Sequence, residues 1–301
     1  LIPQNSMFSN FCHVLKNQMK NILEKRLFIS DMDGTLLGSD SKVSAESAEI
    51  ISRLSHEGAM ITVATARTPA TVEVLLEDTF TSVPAIVLTG AAMWDREKQR
   101  YIKPVFHILQ ALPPMMDVFH ESGINPFIYV LGDDGMLRVY HNGEMNRHER
   151  KFYVERQYLG LKKFILDSSE GEECPIPGTI LVFAMGHYGS IESVAEKLRM
   201  DSRLSVSCYR DIFNHDIAYI EVFGAGVSKS AAVKKLAEMV GATAITVYGD
   251  NLNDLSMMEI ADDSVAVANA VPAVLERANR HIGPNTESSV AHDIQNVYES
   301  R

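Results

Sequence analysis

The sequence predicts an α/β fold: a parallel sheet core with helices on both faces, plus an inserted α+β domain. Three observations carry the prediction. Apolar, β-branched runs alternate with helix-spaced segments between Arg26 and Gly90, which is the rhythm of βαβ units. The same rhythm returns after Gly224. Between the two it breaks into hairpin patterns and mixed helices, as a separate layer would. The core is therefore expected to come from both ends of the chain, 25–104 and 213–301, around an insert at 105–212.

Taken in order, "RLFIS" (26–30) reads as a short buried strand, since the run is apolar and brief. "SAESAEIISRLSHEG" (44–58) reads as a helix with Ser44 as its cap and Gly58 as its stop. "AMITVAT" (59–65) and "AIVLTG" (85–90) read as the next two strands. The helix between them, "PATVEVLLEDTF" (69–80), carries Pro69 in its first turn, where a missing N–H costs nothing. "AMWDREKQRYIK" (92–103) reads as a hairpin, and "HILQALPPMMDVFHESG" (107–123) as a helix disturbed by Pro113 and Pro114. "PFIYVLGDDGMLRVYHNGE" (126–144) reads as two strands around a "GDDG" turn. The acidic, proline-bearing stretch 167–177 reads as a surface loop. "GTILVFAMG" (178–186), "SIESVAEKLRM" (190–200) and "LSVSCYR" (204–210) read as strand, helix and strand. After "AYIEVFG" (218–224) come a helix at 228–241, a strand at 244–250, a helix at 252–261, a strand at 264–268, and helices at 272–279 and from Ser289.

Composition bounds the function. With 301 residues, 46% hydrophobic and 22% charged, the chain can bury a sizeable core. The net charge of −11 argues against a general nucleic-acid partner, because phosphate backbones require clustered Lys and Arg. Cys12, Cys174 and Cys208 are widely spaced with no CxxC pair, so neither a zinc site nor a disulfide framework is indicated. A cytoplasmic setting is expected, with no membrane span, because no apolar run is long enough for one. Residues 1–24 are expected to be a peripheral extension, with Met19 near the natural start.

Four polar clusters fall where the predicted strands end, which is where open α/β sheets bind ligands. Asp31 and Asp33 in "DMDGTL" follow the first strand. Alternation along an extended segment would point them the same way, and paired carboxylates suit Mg²⁺, which takes oxygen ligands. Thr65, followed by Ala66 and Arg67, offers a hydroxyl and backbone N–H groups to phosphate. Lys229 in "GVSKS" opens a helix and can offset phosphate charge. Asp250 and Asp254 in "GDNLND" are four apart, so they share a face if a helix begins at once. Each alone reads more readily as a cap, a turn or a solvated side chain than as a ligand. Their occurrence together and in this order is what points to one site.

"DMDGTL", "ATAR", "GVSKS" and "GDNLNDLSMM" resemble the four motifs of the haloacid dehalogenase-like superfamily of phosphotransferases. The long insert resembles the cap of its Cof-like branch of sugar-phosphate phosphatases. The resemblance covers roughly 25–95 and 213–301 and implies a Rossmann-like core with an α+β cap. It implies Asp31 as nucleophile, forming an aspartyl-phosphate, and Asp33 as the acid and then the base. It also implies Thr65, Ala66, Lys229 and Asn253 at the phosphoryl group, and Mg²⁺ on Asp31, the Asp33 carbonyl, Asp250 and Asp254. Ala66, Thr89, Ser230 and Ser289 depart from the usual pattern, in which Gly, Asn, Gly and Gly are common.

The expected activity is Mg²⁺-dependent hydrolysis of a small phosphomonoester, a sugar phosphate first among candidates, by a monomer or weak homo-oligomer. A phosphomutase or a non-catalytic phosphate-binding regulator are the alternatives. Dehalogenation is disfavoured, because it needs no acid such as Asp33 for an alkoxide. Asp133, Asp134, His187 and Arg210 are candidates for specificity in the insert, and each reads more readily as a solvated surface residue. Arg67, His215 and Asp216 are ambiguous in the same way.

Overall fold

In a computed structural model, residues 24–167, 177–211 and 214–300 are described. Residues 1–23 of the extension expected at 1–24, residues 168–176 of the acidic loop expected at 167–177, Cys12 and Cys174 lie outside them. The chain forms two compact units. Among the described residues, one takes those up to Ala64, Leu75–Pro84 and those from Val233; the other takes Thr65–Val74 and those between Ala85 and Ala232.

The first unit is built on a five-stranded sheet. Its strands are β1 (Arg26–Ser30), β2 (Met60–Val63), β12 (Ala244–Gly249), β13 (Asp263–Val267) and β14 (Arg280–Ile282), in the spatial order β14-β13-β12-β1-β2. Every pairing is parallel, with Phe28 opposite Thr246 on one side and Ile61 on the other. Leu27, Phe28, Ile29, Ile61, Val247, Val265 and Val267 are buried, as expected of strands covered on both faces. Helix α1 (Ala45–His56) starts where predicted, with the Ser44 hydroxyl accepting from the Ser47 N–H at 3.0 Å. It packs against the C-terminal helix α9 (Ser289–Glu299).

The second unit holds all but the last residue of the helix α2 (Pro69–Leu75), which ends five residues short of the predicted limit. It also holds a small antiparallel sheet of β3 (Ala85–Val87), β4 (Ala92–Asp95) and β5 (Arg100–Ile102), whose last two strands are the predicted hairpin. Its main sheet has six strands: β6 (Phe127–Leu131), β7 (Leu137–His141), β8 (Lys162–Leu166), β9 (Thr179–His187), β10 (Leu204–Arg210) and β11 (Ile217–Gly224), in the order β10-β11-β9-β6-β7-β8. Helices α3 (Leu112–Glu121) and α5 (Tyr188–Arg199) cover one face, with Met115, Phe119, Ile191 and Val194 buried among Val182, Ala184, Ile220 and Val222. By alternation, Phe183, Tyr219 and Glu221 lie on the other face. There Phe183 packs on Phe152 of α4 (Arg147–Arg156) at 5.3 Å between ring centres.

Several local expectations are corrected. β11, read from the sequence as leading back into the α/β portion, pairs antiparallel with β9 and β10. Its inner and outer residues are both largely buried, so the apolar run alone does not say which sheet it joins. Pro113 and Pro114 do not disturb α3: they sit in its first turn, where their fixed φ fits and no helical N–H is needed. The segment predicted as a helix over 252–261 is a 3₁₀ turn, Leu252–Asp254, followed by the short helix α7 (Leu255–Met258). Remaining helices are α6 (Lys229–Val240) and α8 (Pro272–Arg277).

Candidate active site

The carboxyl ends of β1 and β12, central neighbours in the parallel sheet, present the acidic residues. β1 stops at Ser30, yet the Asp31 N–H still donates to the Tyr248 carbonyl at 2.9 Å. That last ladder bond leaves the Asp31 side chain 6% exposed at the sheet edge. The chain then turns through Met32–Leu36. Asp33 is exposed, with φ −74° and ψ 119°, and Gly34 takes φ +77°. The expectation that Asp31 and Asp33 alternate along one extended segment is thus replaced by a turn between strand and loop. In the left-handed region glycine is favoured, and space requires it too: a Cβ on Gly34 would lie 2.5 Å from Asp250 Oδ2.

Asp250 is fixed from several sides. The Thr35 hydroxyl donates to its Oδ1 at 2.8 Å, and its carbonyl accepts from the Val271 N–H at 2.9 Å. Asp254 folds back as the third residue of a capping box, its Oδ2 accepting from the N–H groups of Asp250 and Asn251 at 3.1 Å each. Asp254 therefore reaches Asp250 by capping a 3₁₀ turn, not by sharing a helical face with it. Gly249 permits the close return, since a Cβ there would lie 2.7 Å from that of Asp254. Asn253, in the same turn, is exposed.

One carboxylate oxygen from each of Asp31, Asp250 and Asp254 lies within 4.8 Å of the other two. At that spacing and an effective dielectric of about 20, each ionised pair repels by roughly 3 kcal/mol. The arrangement calls for positive charge to offset it. A donor set made wholly of carboxylate oxygen matches a hard divalent cation, and contains none of the thiolate or imidazole that zinc sites favour. The three residues thus fit a divalent metal of the magnesium or calcium kind.

Thr65, Ala66 and Lys229 belong to the second unit. Thr65 is buried, with its N–H donating to Ile86 and its hydroxyl accepting from the Arg67 N–H at 3.1 Å. Ala66 is half-buried. Lys229 is the first residue of α6 and is 1% exposed. The loop Leu88–Gly90 ties these segments together. Leu88 and Thr89 donate their N–H groups to the carbonyls of Arg67 and Thr65, both at 3.0 Å. Gly90 approaches Ser228, just before Lys229, so closely that a Cβ would overlap the Ser228 carbonyl.

The insert candidates have structural occupations. Asp134 pairs with Arg138 at 2.6 Å in the β6–β7 turn, and the guanidinium holds its carboxyl far below the usual range. His187 caps α5, its Nδ1 accepting from the Gly189 N–H at 3.3 Å. The Arg210 guanidinium lies 3.6 Å over the Tyr188 ring. Asp133, His215 and Asp216 are exposed.

Three further residues have contacts that motif spacing does not announce. Thr35 lies inside the motif and orients Asp250. Asn269 donates to the Gly34 carbonyl at 2.8 Å and accepts from the Asn285 N–H at 3.0 Å, which braces the turn. It follows β13, so the strand-end rule that found the four clusters applies to it as well. Glu221, the third, sits mid-strand, where only burial of its charge distinguishes it.

Comparison with known proteins bears on this geometry. The profile of the family described as haloacid dehalogenase-like hydrolase matches residues 28–294. The pyridoxal phosphate phosphatase YbhA of Escherichia coli is 27% identical over 278 residues, spanning 89% of this chain and 97% of its own. The 5-amino-6-(5-phospho-D-ribitylamino)uracil phosphatase YwtE of Bacillus subtilis is 26% identical over 295 residues, with 89% and 96% covered. The crystal structure of a haloacid dehalogenase-like hydrolase from Bacteroides thetaiotaomicron superposes with a TM-score of 0.72 at 19% identity, covering 91% of this chain and all of the other. With the match running from Phe28 in the first core strand to Ile294 in the last helix, the chain belongs to the haloacid dehalogenase-like hydrolase family.

Proposed function

We propose that this hydrolase is a Mg²⁺-dependent phosphatase that cleaves a small phosphomonoester through an aspartyl-phosphate on Asp31. The observation that carries the reading is Asp31 itself: a carboxylate held at the sheet edge beside Asp250 and Asp254, two residues before a second, exposed acid. A cap formed around the six-stranded sheet would select the leaving group.

In the first step an Asp31 carboxylate oxygen attacks phosphorus and the bond to the leaving oxygen breaks. Asp33 gives that oxygen its proton, so the product leaves as an alcohol. In the second step Asp33, now a carboxylate, takes a proton from water. The water oxygen bonds to phosphorus, the Asp31–phosphorus bond breaks, and orthophosphate leaves. Exposure suits Asp33 to both proton transfers, and burial suits Asp31 to a single fixed attack line. Asp31, the Asp33 carbonyl and Asp250 would hold Mg²⁺, with Asp254 and Asn253 assisting. When bound, the ion supplies the positive charge that lets an anionic carboxylate approach an anionic phosphate. Thr65 and the backbone at Ala66 would hold phosphoryl oxygens, with Lys229 offsetting their charge.

The names of two relatives, pyridoxal phosphate phosphatase and 5-amino-6-(5-phospho-D-ribitylamino)uracil phosphatase, support a small phosphorylated substrate. Sugar phosphates are the first class to test beside those two compounds. Orthophosphate release is measured with Mg²⁺ across hexose phosphates, pyridoxal phosphate and nucleoside monophosphates. Release from at least one, lost in a folded Asp31→Asn variant, is the expected result. Turnover retained by that variant excludes Asp31 as nucleophile. An isomerised sugar phosphate in place of orthophosphate would identify a phosphomutase instead.

A further inference from the structure

The loop Leu88–Gly90 is strained. Leu88 has φ +52° and Thr89 φ +55° before Gly90 at +94°. The left-handed region is costly for any residue with a Cβ, and a β-branched residue there is a genuine outlier. Such strain persists where the surroundings over-determine it, and it gathers at functional sites. Here the surroundings are identifiable. The Thr89 hydroxyl donates to Glu221 Oε2 at 3.2 Å, and the Tyr209 hydroxyl donates to Oε1 at 3.3 Å. Glu221 is 6% exposed on β11, and the Lys229 ammonium lies close enough to favour its ionised form.

We infer that Thr89 and Glu221 act together as a positioning pair for Lys229, fixing its place through the loop and modulating its charge through the carboxyl. The inference rests on the reading that Lys229 meets the phosphoryl group. All the contacts it uses lie within one compact unit. Thr89 joins Thr65 by backbone and Glu221 by side chain, while Gly90 abuts the residue before Lys229. A single strained loop thus sets the spacing between the two segments expected to hold phosphate.

The carboxyl adds a charge state. Among the described residues, Tyr129 from β6, Tyr209 from β10, Thr89 from the loop and Lys229 from α6 face Glu221. The two tyrosines stay neutral at physiological pH, since burial pushes both phenols up. Burial also pushes the carboxyl up, to about 7, against the opposing pull of Thr89, Tyr209 and Lys229. An anion arriving at Lys229 competes with ionised Glu221 for the same positive charge, so it favours the protonated carboxyl. Anion binding therefore takes up a proton near neutral pH, and affinity declines as pH rises through that range.

Calorimetric titration with inorganic phosphate between pH 6 and 8.5 tests this without requiring turnover. Wild-type affinity, corrected for the ionisation of phosphate itself, should fall by roughly sevenfold over that range if phosphate binding makes the protonated carboxyl about tenfold more stable. Glu221→Gln keeps the size and a hydrogen-bonding oxygen, and its affinity should be flat over the same range. Thr89→Val, checked for folding by its thermal transition, should bind more weakly at every pH, and Thr89→Ser should recover most of the loss. Identical pH courses in wild type and Glu221→Gln, or no phosphate binding by the wild type, overturn the inference. A wild type that binds phosphate as described yet hydrolyses no phosphomonoester upholds the pair and refutes the phosphatase reading alone.

Discussion

Gly34→Ala separates the geometry of the acidic cluster from the stability of the fold. Two costs arise. Alanine in the left-handed region costs about 1–2 kcal/mol. The larger cost is local, because the new Cβ would sit 2.5 Å from Asp250 Oδ2 and 2.9 Å from its Cγ. Ordinary contact begins at 3.4 Å, so the carboxylate must retreat by roughly 0.9 Å, the difference between 3.4 and 2.5 Å. That retreat pulls Oδ1 from the Thr35 hydroxyl, now at 2.8 Å, and moves one of three acids that must share a ligand. A misplacement of about 1 Å at a reacting centre costs on the order of 10²-fold in rate. The expected result is kcat reduced by about 10²-fold or more, with a thermal midpoint lowered by only about 2–8 °C. Steady-state hydrolysis of a chromogenic aryl phosphate and a circular-dichroism melt measure the two quantities. A kcat within about threefold of wild type in a folded variant would refute the claim that Gly34 is there to make room for Asp250.

Mg²⁺ at about 100 times its dissociation constant should stabilise the native protein by about 2.7 kcal/mol, and a melt of Asp250→Ala should show no such shift. Glu221 couples stability to pH: its folded value of about 7 lies above the ordinary 4.5, so the native state holds the proton more tightly. The Glu221 contribution to stability is fully present below pH 4.5 and is lost as pH rises through 7, by up to about 3 kcal/mol. Glu221→Gln should flatten that limb in melts from pH 4.5 to 8. Lys162, 6% exposed over the Phe164 ring, has an ammonium pushed down to about 8 by burial and by Arg156. At pH 7 it is charged at a cost, so Lys162→Met should raise stability by about 1–3 kcal/mol, and the gain should shrink as the pH of the melt approaches 10.

What the sequence disclosed depended on whether a pattern had one physical cause. β1, β2, β12 and β13 were legible because a strand buried on both faces in a parallel sheet must be apolar throughout. Ser44 and Gly58 were legible because a cap and a stop have few alternatives. A pattern with two physical causes does not decide between them. β11 is as apolar as a core strand, and only its pairing with β9 and β10 assigns it to the other sheet. α4, "RHERKFYVER", and β8, "KKFIL", begin with charge, which masks their apolar positions. The capping box of Asn146 and Glu149 was the available signal for α4. No comparable signal announces β8, whose Lys162 is buried against expectation.

At the acidic cluster the residue types were legible while the routes by which they meet were not. Spacing arguments assumed regular elements, an extended strand for Asp31 and Asp33 and a helix for Asp250 and Asp254. The chain uses neither. It leaves β1 by a turn that glycine alone fits, and it brings Asp254 back through a cap onto the N–H of Asp250. Carboxylates 4.8 Å apart or less are unfavourable companions, and regular structure would hold them only where its period placed them. Turns and caps hold Asp250 and Asp254 individually, through Thr35 and the Asp250 and Asn251 amides, while Asn269 braces the Gly34 turn. The neutral residues around the motif therefore matter as much as the acids. Thr35, Asn269 and the two tight glycines at 34 and 249 hold the charges in place, and the same demand makes them the positions where a single methyl group should do the most damage.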